Sequence, residues 1–169
     1  FIPQACLPFH ARTLDERPLG GTETGLIRLA ESLLELGHEP IVITRLQDPP
    51  LSNPLYLPYR ALQDIGPIDV MVAVREWMPL LNPLEAKVRL FWTGDSYDQP
   101  QNLGLGDTRV SDVIDRFLAV SEWHAKTMSE HSGFPLQKAW PIRNGVKLSH
   151  FAGSEVKKRK RLIYSSTPY

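Results

Sequence analysis

Short unbroken apolar runs alternate along the chain with stretches in which apolar residues recur every third or fourth position. Ile41-Val42-Ile43, Val70-Met71-Val72-Ala73-Val74, Val88-Arg89-Leu90-Phe91-Trp92 and Phe117-Leu118-Ala119-Val120 read as strands. Phe1-Ile2-Pro3 reads as the tail of a first strand, Leu55-Tyr56-Leu57 as a short one, and Lys138–Ile142 and Leu162-Ile163-Tyr164 as two more. Leu26, Ile27, Ala30, Leu33 and Leu34 share one face at helical spacing, with Thr22 placed to cap the helix and Gly37 placed to end it. A helix is predicted over Thr108–Ile114, and another runs from a Ser121 cap to Gly133. Residues 45–67 are Pro-rich and irregular, with a helical turn near Leu62. Strand–helix alternation with continuous apolar runs is what a parallel sheet covered on both faces demands. The expected fold is a doubly wound, Rossmann-like α/β domain without internal repeats.

Length and charge narrow the classes. The 169 residues suit one domain, and 19 Lys+Arg balance 19 Asp+Glu, so no basic excess recommends a nucleic-acid partner. The single cysteine, Cys6, has no internal partner, which points to a reducing, cytoplasmic compartment. No apolar run approaches the roughly 18–20 residues of a membrane span, and no basic-then-apolar leader is expected. The run Lys157-Lys158-Arg159-Lys160-Arg161 has two readings. It is a solvated linker, or it touches anionic headgroups at the inner membrane face, at about 1 kcal/mol per charge.

In an open parallel sheet, ligands sit beyond the carboxyl ends of the strands, so the loops there are read first. Gly20-Gly21-Thr22-Glu23-Thr24-Gly25 leads from the first loop into the first helix. Paired glycines admit a ligand close to the backbone, and a helix start offers free N–H groups, which suits a phosphate. The segment is neither a Walker loop nor a GxGxxG turn, and a plain helix-opening turn is the competing reading. Thr93-Gly94-Asp95 offers a carboxylate for a sugar hydroxyl or a proton, or else an Asx-type turn. Arg75, after the Val74 strand, can grip a phosphate or form an internal pair with a glutamate. The five histidines show no metal-ligand spacing; His124 reads as structural, His10 as a weaker contact candidate, and Cys6 as inert.

Three stretches together resemble glycosyltransferase family 4. Gly20-Gly21-Thr22-Glu23 leads through a helix to Leu36-Gly37-His38-Glu39-Pro40-Ile41-Val42-Ile43; Phe117 to Ser121 runs into Glu122-Trp123; and Pro141-Ile142-Arg143-Asn144-Gly145-Val146 precedes Phe151. Two departures stand out: Lys147 replaces the family's usual Asp after Asn-Gly-Val, and Thr93-Gly94-Asp95 stands where many members place a His. The resemblance implies the N-terminal, acceptor-side half of a two-Rossmann (GT-B) enzyme. Such an enzyme moves a sugar from a nucleotide-sugar donor to a glycan, lipid-linked or small-metabolite hydroxyl with retention, using no metal or other cofactor. It implies donor-phosphate or acceptor contacts at Gly20, Gly21, Thr22, Glu23, Arg75 and Asn144, and a catalytic role for Asp95. Residues 1–156 would form this domain and 157–169 a linker and the first strand of a donor-binding domain, so the fragment alone would be inactive. The competitors are a stand-alone α/β binding module and a dinucleotide-dependent oxidoreductase, the latter lacking the glycine turn it needs.

Overall fold

The computed structural model describes residues 1–4 and 6–146. The predicted strand at Leu162–Tyr164, the basic run Lys157–Arg161 and Phe151 lie outside the described residues.

All the observed strand pairs are parallel. Strands β1 (Ile2–Pro3), β4 (Ile68–Val74), β5 (Ala86–Thr93), β6 (Arg116–Ala119) and β7 (Ala139–Pro141) form one sheet in that spatial order. Strands β2 (Ile41–Thr44) and β3 (Leu55–Pro58) pair beside it. Phe1 joins the two: its amino group donates to the Ile41 carbonyl at 2.8 Å and its carbonyl accepts from the Ile43 N–H at 2.9 Å. Those two bonds place Phe1 opposite Val42 in a parallel ladder. The continuous order is therefore 3-2-1-4-5-6-7, and the direction of winding reverses between β1 and β4, as in a Rossmann-like sheet.

The reversal dictates the layers. Right-handed crossovers that travel in opposite directions along a sheet must lie on opposite faces. Helix α2 (Gly21–Glu35), which links β1 to β2, buries Leu26, Ile27 and Ala30 against Val42, Tyr56, Val72 and Val74. The connections from β4 onward cover the other face, where Leu80, Leu105, Ile114, Ala125, Met128 and Phe134 pack on Met71, Ala73, Phe91, Phe117 and Ala119. Alternate residues of β4 thus feed two cores, which is why its apolar run has no polar positions from Met71 to Val74.

Both long helices are delimited by chemistry visible in the sequence. Gly37, at φ +87°, closes α2: its N–H donates to Leu34 and that of His38 to Leu33, the two bonds of a Schellman motif. Ser121 caps α4 (Glu122–Ser132) by accepting from the His124 N–H at 3.0 Å, and Gly133 at φ +82° ends it. Two expectations need correction. Gly20, not Thr22, is the N-cap of α2; Thr22 sits inside the first turn because the helix already starts at Gly21. The helix predicted over Thr108–Ile114 is only α3 (Thr108–Ser111): the chain tightens there, and Asp115 donates to the Arg89 carbonyl to begin β6.

Candidate functional site

The carboxyl ends of β1 and β4 flank the point of reversal, and the sequence-predicted residues divide around it. The loop after β1 carries the short helix α1 (Thr13–Glu16) and returns to Gly20, whose extended backbone precedes α2 without any side-chain cap. The first intrahelical bond is donated by Thr24 to Gly20. The N–H groups of Gly21, Thr22 and Glu23 donate to no protein acceptor among the described residues, so a 15-residue helix presents three open donors at its positive end. Glu23 is buried and folds back across this start: one oxygen accepts the Leu7 N–H at 2.8 Å, and the other lies where a Cβ on Gly20 would come within 2.6 Å. A side chain at 20 would therefore displace the Glu23 carboxylate, which staples the β1 loop to the helix. No atom stands within 4 Å of a Cβ on Gly21, so that position faces open space.

Opposite lies Arg75, the residue that follows β4. Its N–H continues the ladder to the Trp92 carbonyl at 2.8 Å, and its φ of +67° turns the chain sharply into the left-handed region. From there the guanidinium grips Asp95 after β5, with Nε to Oδ2 at 2.9 Å and the second bond at 3.4 Å. Both side chains are under one-third exposed. The Asp95 bond, aided by the nearby Glu23 and Cys6, holds the arginine pKa above its usual value. Asp95, one strand over, is thus an internal partner of Arg75, where the sequence had suggested a glutamate.

Asp95 is itself fixed from behind. Its N–H donates to Thr93 Oγ1 at 3.0 Å. Its carbonyl accepts from Asn102 Nδ2 at 3.3 Å and lies 3.0 Å from His124 Nε2. His124 Nδ1 accepts the Val120 N–H at 3.3 Å, which leaves the ring proton on Nε2 to be donated to Asp95. His124 is buried and structural, as its position on a helix suggested. Buried Asn102, which also donates to the Ser96 carbonyl at 2.7 Å, was not foreseen. Only its place in a loop between two strand ends could have flagged it. Cys6 completes the cluster: burial first, then the Glu23 charge, push its thiol up to about 12 against a smaller opposing pull from Arg75.

The remaining candidates lie elsewhere. Asn144 is exposed beyond the carboxyl end of β7, three strands from β4, and is not gathered into the Arg75–Asp95 cluster. His10 is partly exposed in the β1 loop, with Nε2 3.8 Å from Glu16. Among the described residues no three of His, Cys, Asp and Glu converge as a metal site would require, and no helix is long and apolar enough to cross a membrane. Beyond the β5 loop a recess of about 320 Å³ opens between that loop and the start of α4, lined by Gly94, Ser96, Tyr97, Trp123 and Thr127.

The chain matches no family model, no curated protein and no solved structure, so the reading of this site rests on its own geometry.

Proposed function

We propose that this chain is the acceptor-side half of a retaining glycosyltransferase of the two-Rossmann type, acting on a nucleotide-sugar donor and a glycan, lipid-linked or small-molecule hydroxyl. The observation that carries the reading is the glycine-led, uncapped start of α2 at the point where the sheet reverses, with the Arg75–Asp95 pair across from it. Such a helix start is suited to a phosphate oxygen, and the crevice is where open α/β sheets take their ligands.

In the transfer, the bond from the sugar anomeric carbon to the donor phosphate breaks and its electron pair leaves with the diphosphate. The acceptor oxygen bonds to the same carbon from the same face, and its proton passes to the departing phosphate oxygen beside it. The donors of Gly21 and Thr22 stabilise the charge building on that phosphate, while Asp95, held in place by Arg75, orients the acceptor hydroxyl. Glu23 supports the loop. In this crevice Arg75 stands beside the Glu23 and Asp95 carboxylates.

Gly21→Val tests the reading directly. The open space around Gly21 predicts an unchanged fold and urea midpoint, while the bulk over the helix start lowers transfer by the full-length protein roughly 10²-fold or more. Unimpaired transfer by this variant would remove the helix start from the mechanism.

A further inference from the structure

The recess beside the β5 loop has a composition that the phosphate crevice lacks. Its lining includes no carboxylate, lysine or arginine, and its one imidazole, His124, has both ring nitrogens engaged with backbone. A charged ligand would find no counter-ion there. The hydroxyls of Ser96 and Thr127 bond to no protein group among the described residues, and the Ser121 hydroxyl accepts the helix-capping bond but keeps its own proton to donate. Trp123, in the first turn of α4, keeps 73% of its surface exposed while it lines this hollow. A lone exposed aromatic is ordinary; one that walls a concavity with unspent hydroxyls around it is a platform.

The other walls are stiff. Tyr97 stacks on His131 with ring centroids 4.1 Å apart and planes 14° from parallel. Gly94 leaves the floor open, with Val120 behind it in ordinary contact range. The β5 loop itself is pinned by Asn102 and His124. A neutral ligand with one apolar face and several hydroxyls fits this surface, because the C–H edges of a sugar ring carry the positive polarity that an indole face attracts. We propose that the recess seats a pyranose ring of the acceptor on Trp123, with Ser96 and Thr127 bonding its hydroxyls. This assignment rests on the glycosyl-transfer reading above and makes the acceptor a glycan or glycoside. The β5 loop is then the wall shared between the ring seat and Asp95, which presents the reactive hydroxyl to the donor.

Two measurements on the full-length protein separate this proposal from the reading beneath it. The first follows the Trp123 indole N–H resonance, identified by its loss in Trp123→Phe, during titration with methyl glucoside, methyl mannoside, methyl galactoside and their disaccharides. A saturable shift with at least one of them is expected, and silence with all of them overturns the ring seat. The second is steady-state transfer by Trp123→Ala. Acceptor KM should rise roughly tenfold with kcat within about twofold and donor KM unmoved, and Trp123→Phe should recover most of the loss. An unchanged acceptor KM overturns the proposal while leaving glycosyl transfer intact. Absence of transfer by the wild type overturns the reading itself, yet the indole titration still decides whether the recess binds sugars.

Discussion

Arg75 combines two effects of opposite sign that a pair of substitutions resolves. Its side chain holds Asp95, and its backbone sits at φ +67°, where an L-residue is strained. Two unit charges about 4 Å apart attract by about 4 kcal/mol at an effective dielectric constant of about 20. Desolvation and side-chain ordering offset most of that, so loss of the half-buried pair costs about 1–3 kcal/mol. Arg75→Ala should lose that amount and keep the backbone strain. Arg75→Gly loses the same side-chain contacts but relieves about 1 kcal/mol of strain, so it should be the more stable of the two. With a urea m-value of about 2 kcal/mol/M, the two midpoints should differ by about 0.5 M, with Arg75→Ala the lower. The comparison is insensitive to how many partners the guanidinium has, because both variants remove them all. An Arg75→Gly midpoint at or below that of Arg75→Ala would refute the strained-hinge description of the β4 end.

Other consequences follow from packing and burial. A Cβ at Gly106 would lie 1.6 Å from the Ser132 carbonyl oxygen, so Gly106→Ala must push the end of α4 off the loop. Chemical denaturation should register a loss of about 3 kcal/mol or more; a loss under about 1 kcal/mol would contradict that approach. Cys6 has its folded pKa raised from 9.0 to about 12, so the neutral thiol contributes stability fully below pH 9, and that contribution is lost as pH rises from 9 towards 12. Iodoacetamide at pH 8 should therefore leave the native thiol unmodified and label it only in urea, as mass spectrometry would report, and Cys6→Ser should flatten the alkaline decline in stability.

Much of the fold was legible because the relevant signals are local. Gly37 and Gly133 end helices through left-handed backbone that a glycine accepts freely, and the continuous apolar run through Met71–Val74 announces a strand buried on both faces. The start of α2 was misread by two residues because Thr22 has the side chain of a cap. What sets the boundary is Glu23 reaching back to Leu7, a contact 16 residues away in sequence. The site was legible as positions but not as partnerships. Gly20, Gly21, Glu23, Arg75 and Asp95 were all singled out from strand-end loops, but the pairing of Arg75 with Asp95 depends on register. Val74 lies opposite Trp92, and only that alignment brings residue 75 beside residue 95. Asn102 and the recess at Trp123 depend on the same long-range assembly, which no spacing along the chain encodes.

The most direct test of the account is product analysis by the full-length protein offered UDP-, GDP- and ADP-sugars with glycoside acceptors, beside the 169-residue chain alone. The account predicts transfer from one donor class with the anomeric configuration retained, and none by the shorter chain. A folded full-length protein that neither transfers sugar nor binds any nucleotide-sugar would contradict it and leave a stand-alone binding module in its place.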